Sequence, residues 1–586
     1  MSIKINYQKR KNVNIFNQFQ DNKNTLLSNI QNYIPIYEVF FTLNDANFNS
    51  INLNHDWFIA SLNKNKHKNK NDDANENTFN CKIGNIVDNN ITDTQKVFIK
   101  VAPLLDPFKY LVGKYNHTDE NLFNLPSINK SHNVHPKILN CNNAAYVDGF
   151  FSFLSSKTLN DHKFIHGIDY YGSFLAIKNN YKLNVMDDIE YLVKSDFFNK
   201  QKDVLFKVED YSHLIADETI KPLKPLIINN TETDLNIEFN DELAPIDATH
   251  IDLNDMQNMN IDLVDITTSN QFNINELKKS ESLKSGSSCS SRTSHTHEDD
   301  DITETSSSNN SNEGEGEGEW SDIDTDESSL LGEEPLYATF TQFPVQIICM
   351  EQCDNTIDYL IDNGKLSEDQ WFSALMQIIM ILITYQKMFS FTHNDLHTNN
   401  IMYVPTNNKF IYYYYNKKHY KVPTYGKIYK IIDFGRAIYK FNGKIFCSDS
   451  FQIGGDAATQ YNTEPFFNEN KPRLEPNMSF DLCRLACSIF DYIVDDLDDI
   501  KNIDECDPIV KLITQWCLDD NGRNVLYKTS GVERYPDFKL YKMIARCVHN
   551  HTPQMQLDRP EFSKFSIPNG PKGEHIFNID LLPSYI

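Results

Sequence analysis

The chain has 586 residues, of which 40 % are hydrophobic and 12 % aromatic, so it can bury a large core in two or more folding units. The 55 Lys and Arg residues against 81 Asp and Glu residues give a net charge of −26, which argues against a general binder of nucleic acid or anionic membranes. The 11 cysteines include no C-x-x-C pair and no Cys/His cluster at zinc spacing, so neither a disulfide framework nor a structural zinc is expected, and a reducing compartment is the default.

The pattern of apolar residues predicts neither a secretory signal nor a membrane span. The N-terminal sequence MSIKINYQKRKNVNIF is basic but lacks an apolar core. The most apolar run, residues 374–385, is shorter than the roughly 18 residues that cross a bilayer, and Gln386 and Lys387 follow it. We therefore expect a soluble intracellular protein in which this run forms a buried helix.

Two low-complexity segments interrupt the chain. Residues 61–80 are polar, small and charged, and a longer segment at residues 277–335 is crowded with Ser, Gly and acidic residues. Between Glu298 and Glu334 stand fifteen acidic residues and no Lys or Arg. Segments with so little to bury are expected to be disordered, and we place a largely disordered acidic insertion, with partial order in its first half, at residues 196–335.

Four segments on either side of the insertion have the character of β-strands. Branched and aromatic residues dominate them, as in IPIYEVFFTL and KVFIKVAP, and together they predict one antiparallel sheet. The four segments are residues 34–43, 96–103, 164–177 and 343–353.

Beyond residue 365 the pattern changes from strand to helix. The run LSEDQWFSALMQIIMILITYQKMF predicts a helix that begins after Ser367, a residue type favoured at helix N-caps. Further helices are predicted at about residues 480–497, 507–518 and 537–549. A strand-rich first part followed by a helix-rich second part predicts the α+β fold class.

Two motifs carry the chemistry of the chain. FTHNDLHTNNIMYV follows the apolar helix and contains His393, Asp395 and Asn400, and YKIIDFGRA contains Asp433 in an intact D-F-G. In the same order, protein kinases have the catalytic loop H-R-D-L-x-x-x-N and then D-F-G, and here Asn394 takes the arginine position. The chain therefore resembles the catalytic core of the protein-kinase superfamily.

This resemblance implies the machinery of phosphoryl transfer, which depends on positioning a hydroxyl and neutralising charge around the transferred phosphate. Asp395 would orient the attacking hydroxyl and accept its proton, with His393 and Asn400 as the other catalytic residues of the loop. Asn400 and Asp433 would hold the Mg²⁺ ions that bridge the phosphates of ATP.

Three other stretches match the same family. Lys100 in VFIKVAP stands where kinases place the lysine that contacts the α- and β-phosphates, although a lysine on a strand is otherwise usually a solvated residue. Met350 corresponds to the gatekeeper, and Glu351 and Cys353 to the adenine-binding hinge, unless this stretch is a plain buried strand. Asp481 corresponds to the aspartate that braces the catalytic loop, or is simply an acid favourably placed at a helix N-terminus.

The phosphate-binding part departs from the family. No G-x-G-x-x-G precedes Lys100, and only Gly84 in CKIGNIVDNN is available to approach a phosphate closely. No clear helix glutamate is present to pair with Lys100, and the nearest acid is Asp148 in NNAAYVDGFFSFLSSKTL, one methylene shorter than Glu. These departures favour one alternative, a catalytically inactive pseudokinase that acts as a binding module.

The catalytic loop and the activation segment also depart from the family. Asn394 replaces the arginine that clasps a phosphorylated activation loop, so constitutive activity is expected. His397 occupies the usual lysine position, and D-L-H also occurs in haspin-like kinases and in aminoglycoside and choline phosphotransferases. A small-molecule phosphotransferase is therefore the second alternative. The activation segment, residues 433–465, ends without a clear A-P-E, and Glu464 with Pro465 is its nearest remnant.

Three further features were assigned from the sequence. Residues 409–427 form an aromatic, basic hairpin, for which a packed ribbon is the usual outcome and docking of a partner the alternative. Ser321 in the acidic insertion precedes acidic residues, a pattern that casein-kinase-type enzymes phosphorylate, and the insertion could bind a basic partner such as the tract at residues 64–70. Near the C-terminus, Arg559 corresponds to a structural arginine of the family.

The resemblance implies a bilobal protein-kinase-like fold. An N-terminal extension at residues 1–33 precedes a small lobe formed by residues 34–195 and 336–353, and residues 354–586 form the helical large lobe. We expect an ATP- and Mg²⁺-dependent kinase that phosphorylates Ser/Thr in unidentified protein substrates, with neither nucleic-acid nor membrane partners. The abundance of Asn, Lys, Ile and Tyr, together with SFDLCRLA, resembles kinases of large DNA viruses and implies a viral protein of the host cytoplasm or the virion.

Overall fold

The computed structural model describes residues 3–10, 12–63, 77–86, 91–128, 133–211 and 335–586. These residues belong to one compact unit, and their antiparallel sheets and helices give the α+β class predicted from the sequence. The acidic insertion beyond residue 211, Ser321, and the tract at residues 64–70 lie outside the described residues.

The secondary structure of the described residues combines short elements with a few long strands and two long helices. The strands are β1 (Tyr7–Lys9), β2 (Leu27–Gln31), β3 (Ile51–Leu53), β4 (Trp57–Leu62), β5 (Thr78–Asn85), β6 (Ile91–Pro103), β7 (Tyr170–Asn184), β8 (Phe206–Val208), β9 (Tyr337–Glu351), β10 (Asn355–Thr356), β11 (Ile401–Pro405), β12 (Phe410–Tyr415), β13 (Lys418–Pro423), β14 (Lys427–Ile431), β15 (Ile438–Phe441), β16 (Lys444–Cys447), β17 (Ser566–Ile567) and β18 (Ile576–Asn578). The α-helices are α1 (Val13–Asp21), α2 (Pro107–Leu111), α3 (Pro136–Leu139), α4 (Ala144–His162), α5 (Ile189–Leu192), α6 (Asp196–Gln201), α7 (Ile357–Asp362), α8 (Glu368–Phe389), α9 (Phe480–Ile493), α10 (Pro508–Trp516), α11 (Lys539–Cys547), α12 (Pro553–Gln556) and α13 (Pro560–Ser563).

An antiparallel sheet, here called the main sheet, has the order β2-β7-β9-β6-β5-β4, and β8 also pairs with β9. In its centre β9 lies between β6 and β7, and Lys100 on β6 pairs with Ile348 on β9. The second half of β9 is buried at every position up to Met350, as expected for a strand covered on both faces. Lys100 is thereby placed on a strand that the rest of the sheet holds on both sides.

Three of the four predicted strands are confirmed as members of this antiparallel sheet. The segments at residues 96–103 and 343–353 lie in β6 and β9, except that the last two residues of the second follow the end of β9. The segment predicted at residues 164–177 becomes strand only at Tyr170, where β7 begins.

The strand predicted at residues 34–43 is wrong, because this segment contains a 3₁₀-helix at Pro35–Val39. Pro35 suits the first turn of a helix, where its missing N–H needs no partner. Pro35, Ile36 and Tyr37 are all buried in succession, whereas a half-buried strand would alternate buried and exposed residues. The run of apolar residues therefore reflects complete burial of a helical turn.

The part of the fold that contains the main sheet begins earlier and ends later in the chain than the sequence predicted. Residues 1–33, predicted as an extension, supply the edge strand β2 of the main sheet. Beyond residue 196, where the insertion was predicted to begin, α6 and β8 still belong to the fold. Phe198 and Phe206 hold these two elements together, since both are buried and their rings stack with centroids 5.4 Å apart.

Helix α4 approaches the main sheet closely at Gly149. The side chain of Asn143 caps the start of α4 by accepting the N–H of Ala145 at 3.0 Å. A Cβ atom on Gly149 would lie 2.3 Å from Nε2 of Gln346 on β9, so a larger residue at this position would require the Gln346 side chain to move. The contact brings the neighbouring Asp148 up against the sheet.

Helix α8 forms the core of the second half of the chain. A capping box between Ser367 and Gln370 starts the helix and confirms the predicted N-cap. Among the described residues, α8 is the one helix that is long and apolar enough to cross a membrane, but 94 % of its apolar window is buried inside the protein. The prediction of a buried helix at residues 374–385 is therefore confirmed.

Three later helices confirm the predictions made for the second half of the chain. Helices α9, α10 and α11 each fall within the predicted ranges and are slightly shorter than them. Arg559 precedes α13, contacts Oε1 of Gln515 through Nη2, and its Nε lies 3.6 Å from a carboxylate oxygen of Glu561. These contacts agree with the structural role predicted for Arg559.

The aromatic hairpin predicted at residues 409–427 is a packed ribbon. Its arms are β12 and β13, and the C-terminal strands β18 and β17 pair with their outer edges. Tyr413 and Tyr420 in the two arms are each 1 % exposed. Strands of this same chain pair with part of both edges, so the predicted packed ribbon is present.

Candidate functional site

One buried carboxylate holds the loop that connects α8 to β11. Asp481, the second residue of α9, accepts the backbone N–H groups of His393 and Asn394, both at 2.9 Å. Asn394 has a φ of +63°, in the left-handed region that few residues other than glycine adopt. The buried carboxylate stabilises this turn, so the contact predicted for Asp481 is present.

His393 joins the two sequence motifs. Its Nε2–H donates to the carbonyl oxygen of Ile432 at 2.9 Å, and its Nδ1 accepts the N–H of Asp395 at 3.3 Å. A carbonyl can only accept a hydrogen bond, so Nε2 carries the proton. The imidazole is fully buried and therefore fixes the loop that carries Asp395 against Ile432, the residue that precedes Asp433.

The carboxylate of Asp395 lies at the surface of the loop, with 25 % of the side chain exposed. Its Oδ1 accepts the hydroxyl of Tyr541 at 2.8 Å and lies 3.7 Å from Nη1 of Arg436. Burial alone would raise the pKa of Asp395, but the positive charge of Arg436 and the other partners outweigh burial and lower the pKa. Asp395 is therefore ionised at neutral pH and able to accept a proton.

Lys100 connects β6, α4 and the D-F-G motif through two ion pairs. Its Nζ lies 2.7 Å from Oδ2 of Asp148 and 2.8 Å from Oδ1 of Asp433. Asp148 is almost fully buried and also accepts the backbone N–H of Phe434 at 2.9 Å. The helix acid considered for Lys100 in the sequence is thus the residue that contacts it, in spite of its shorter side chain.

Asp433 has the local properties of a metal ligand. Its φ is +62°, and 46 % of its side chain is exposed, so the carboxylate stands out from the chain. Burial would raise the pKa of Asp433, but Lys100 more than offsets this and lowers the pKa to about 2. An ionised and accessible carboxylate oxygen is the ligand type that Mg²⁺ prefers.

Asn400 completes the pair of predicted metal ligands. Its amide nitrogen donates to the carbonyl oxygen of Asp395 at 3.0 Å and lies 3.0 Å from Nε2 of His397, so metal binding by this side chain would use its oxygen. No group of three or more His, Cys, Asp or Glu side chains suited to a metal occurs within the described residues. Mg²⁺ commonly takes one or two protein oxygens and completes its shell with water and phosphate oxygens, so Asn400 and Asp433 fit that donor set.

The end of β9 carries the residues predicted to contact adenine. Met350 is 6 % exposed and pairs with Phe98, two residues before Lys100 on the neighbouring strand. Cys353 is also buried, just beyond the end of the strand. The structure therefore brings the predicted gatekeeper close to Lys100 along the sheet.

Glu351 is engaged within the protein. Its N–H donates to the carbonyl oxygen of Asp169 at 2.9 Å, and its carboxylate accepts the N–H of the same residue at 2.7 Å. The carboxylate also forms an ion pair with Lys430, which is buried. The side chain of Glu351 thus links β9 to β7 and β14.

Gly84 is not brought together with the other predicted nucleotide-binding residues. It pairs with Ile91 at the start of β6, whereas Lys100 lies nine positions further along the same strand. The ring of Phe58 covers it, since a Cβ atom on Gly84 would lie 2.6 Å from Cζ of that ring. The register therefore places Gly84 at the far end of the strand from Lys100, packed against Phe58.

Three residues of the site were not identified from the sequence, namely Arg436, Arg484 and Tyr541. Arg436 directly follows the D-F-G motif, and its Nη2 lies 2.8 Å from a carboxylate oxygen of Asp456 in the activation segment. Tyr541 lies 146 residues after Asp395 in the chain and carries no motif of its own. The position of Arg436 directly after D-F-G could have identified this residue from the sequence. The position of Tyr541 in the site depends instead on the packing of α11 against α9.

Comparison of the chain with protein-family models and with curated proteins found no match.

Proposed function

We propose that the chain is a protein-kinase-like enzyme with a bilobal fold that transfers the γ-phosphate of ATP to Ser or Thr in proteins. The observation that carries the proposal is the position of Lys100, whose Nζ contacts both Asp148 on α4 and Asp433 of D-F-G. These residues come from three distant parts of the sequence, and ion-paired contacts of this kind are the ones that kinases assemble around the phosphates of ATP.

The main sheet and α4 correspond to the small lobe in this proposal. The lysine strand β6 lies between β5 and β9, and α4 lies against β9 through Gly149. The second half of the chain corresponds to the large lobe, with α8 as its core helix and α9 bracing the catalytic loop through Asp481.

Each side chain has a defined task in the proposed reaction. Lys100 would neutralise the α- and β-phosphates while Asp148 and Asp433 orient its ammonium group. Asp395 would accept the proton of the attacking hydroxyl, for which its lowered pKa keeps it ionised. Asn400 and Asp433 would hold Mg²⁺, which neutralises the charge that develops on the phosphates.

One observation bears on the alternatives. The two carboxylates that the reaction needs, Asp395 and Asp433, are both partly exposed, so a substrate hydroxyl and a metal ion can reach them, which supports a catalyst over an inactive binding module. For a protein-kinase-like enzyme, Ser or Thr is the expected acceptor residue.

The test is phosphoryl transfer from γ-labelled ATP with Mg²⁺ by the full chain and its Asp395→Asn variant, offered mixed acidic and basic proteins and a pool of small metabolites. Asp558→Asn is a matched control, since Asp558 is 78 % exposed and the charge change is the same. We expect label on protein Ser or Thr for the wild type and the control, and none for Asp395→Asn. Label confined to metabolites would establish a small-molecule phosphotransferase, and no Asp395-dependent label would establish a pseudokinase.

A further inference from the structure

The hydroxyl of Tyr541 reaches the carboxylate at the centre of the site. Tyr541 lies on α11 and is 1 % exposed, and its hydroxyl is 2.8 Å from Oδ1 of Asp395. Its ring stacks on Phe538 with a centroid distance of 5.1 Å and lies 6.0 Å from the ring of Phe480 on α9. The phenol is therefore fixed by packing on both sides.

A buried arginine determines the direction of this hydrogen bond. Nε of Arg484, on α9, donates to the hydroxyl oxygen of Tyr541 at 3.0 Å. Arginine is always protonated and offers only donors, so the oxygen of Tyr541 acts as acceptor toward Arg484. The hydroxyl proton of Tyr541 is therefore left to point at Asp395, whose ionised carboxylate is an acceptor only.

The contacts of the carboxylate are unequal. Oδ1 of Asp395 receives the hydroxyl of Tyr541 and faces Nη1 of Arg436 at 3.7 Å. Both contacts are made to the same oxygen, and a quarter of the side chain is exposed. The two oxygens of this carboxylate are thus already distinguished before a substrate binds.

We propose that Tyr541 is a positioning residue, which holds Oδ1 of Asp395 so that Oδ2 alone receives the acceptor hydroxyl. This inference rests on the proposed kinase function. In the transfer step the acceptor oxygen forms a bond to the γ-phosphorus, and the bond from that phosphorus to the β–γ bridging oxygen breaks. ADP leaves with the electron pair of the broken bond, and the acceptor proton passes to Oδ2 of Asp395. Tyr541 touches neither the substrate nor the phosphate in this scheme.

If Tyr541 instead blocked the acceptor site, its substitution would change turnover in the opposite direction. If its phenol occupied the place of the acceptor hydroxyl, removing the hydroxyl would open the site and raise turnover. If Tyr541 positions Asp395, removing the hydroxyl leaves the carboxylate free to rotate and lowers turnover, because misplacement of a reacting group by about 1 Å can lower rates by about 10²-fold.

The kinetic test compares Tyr541→Phe with Tyr527→Phe. The hydroxyl of Tyr527 donates to Oδ1 of Asp491 at 2.9 Å, so the control removes the same kind of hydrogen bond from a carboxylate further along α9. We expect Tyr541→Phe to lower kcat by about 10- to 100-fold with the KM values for ATP and acceptor unchanged within about twofold, and Tyr527→Phe to leave kcat unchanged. An unchanged or raised kcat in Tyr541→Phe, or an effect confined to KM, would overturn the proposal.

A second experiment tests the contact between Tyr541 and Asp395 and does not depend on catalysis. Urea denaturation of Tyr541→Phe, Asp395→Ala and the double variant forms a double-mutant cycle for the two side chains. We expect Tyr541→Phe to lower the denaturation midpoint more in the wild-type background than beside Asp395→Ala, where only the contact of Tyr541 with Arg484 is left to lose. Additive shifts would overturn the contact itself. A coupled cycle in a chain without Asp395-dependent transfer would refute the kinase function and with it the positioning role.

Discussion

The hydroxyl of Tyr461 donates a hydrogen bond of 2.9 Å to the side-chain oxygen of Asn394, which stands between His393 and Asp395. Tyr461 belongs to the activation segment, and both side chains are buried. In the family that the sequence resembles, an arginine at the position of Asn394 holds this segment through a phosphate group. Here a neutral contact joins the same two elements, so the segment is held without phosphorylation.

The first prediction is that activity does not depend on phosphorylation of the activation segment. Treatment of the purified protein with a phosphatase, followed by removal of the phosphatase, is expected to leave phosphoryl transfer within about twofold of the untreated rate. A rate that collapses after phosphatase treatment would show that a phosphate is required after all.

The same contact also predicts an effect on stability. Tyr461→Phe is expected to lower the free energy of unfolding by about 1–3 kcal/mol, because it leaves the buried oxygen of Asn394 without its donor. Tyr425→Phe, at a residue 44 % exposed, is the control for stability.

The second prediction concerns the short acid on α4. Asp148→Asn removes a charge that contacts both Lys100 and the N–H of Phe434, so the ammonium group loses one of its two orienting partners. We expect kcat/KM for ATP to fall by about 10²-fold. Steady-state kinetics at varied ATP concentration measure this change.

The control for that prediction lies on the same helix. Asp161 of α4 pairs with Lys157 at 2.9 Å and is partly exposed, so Asp161→Asn makes the same charge change away from Lys100. Lys157 keeps a second partner, Asp56, at 3.1 Å, and we expect kcat/KM to change by less than about twofold. Equal losses in the two variants would mean that the effect comes from α4 as a whole and not from Asp148.

The third prediction is a loss of stability in mild acid caused by His166. Its Nδ1–H donates to the carbonyl oxygen of Tyr429 at 2.7 Å, and its Nε2 accepts the hydroxyl of Tyr413, so the buried ring is neutral. Burial lowers the pKa of His166 to about 4, from 6.5 in the unfolded chain. Between these two values the unfolded state binds the extra proton, so stability is present above pH 6.5 and is lost as the pH falls toward 4.

The measurement is the free energy of unfolding of the wild type and of His166→Gln at pH 7 and pH 5. We expect the wild type to lose about 2 kcal/mol more than the variant over this interval, because Gln cannot titrate. His575→Gln, at an exposed position, should retain the wild-type pH dependence. Identical pH dependence in His166→Gln and the wild type would contradict the assignment.

The fourth prediction concerns the strand that closes one edge of the aromatic hairpin. Phe577 on β18 is 6 % exposed, and its ring lies 4.8 Å from that of Phe164. Phe577→Ala is expected to lower the free energy of unfolding by about 3–5 kcal/mol, since it leaves a cavity between the hairpin and the loop before β7. Leu581→Ala, at a residue 80 % exposed, should stay within about 0.5 kcal/mol of the wild type. A similar stability for both variants, measured by urea denaturation, would show that β18 does not anchor the hairpin.

The structure brings together residues that the sequence singled out by residue type and spacing. The loop from His393 to Asn400 and the D-F-G motif are such cases, and Asp148 was found because it is the nearest acid in its helix. Tyr541 could not be found in this way, because its position depends on the packing of α11 and not on any local spacing. Gly84 lies far along the sheet from Lys100, which the sequence could not show, because a glycine in a strand pattern does not reveal which end of the strand faces the lysine.

The elements of the fold also divide into those that the sequence could predict and those that it could not. The antiparallel sheet and α8 follow from long runs of branched and apolar residues, and these predictions are confirmed. The segment at residues 34–43 has an equally apolar composition, but complete burial of Pro35 to Tyr37 removes the alternation that separates strand from helix. The fold also continues past residue 196, since single buried side chains such as Phe198 and Phe206 anchor elements too short to show a periodic pattern.

Glu209, just after β8, lies beside Tyr337 at the start of β9, and its N–H donates to the carbonyl oxygen of Tyr337 at 3.1 Å. The two ends of the intervening chain are therefore as close as the arms of a hairpin, and a short turn could join them without changing the register of β8 and β9. Each halving of the connecting length lowers its closure entropy by only about 0.6 kcal/mol, so the sheet tolerates almost any length there. This point in the fold is one at which evolution can gain, lose or exchange whole segments while the strand that carries Lys100 keeps its place.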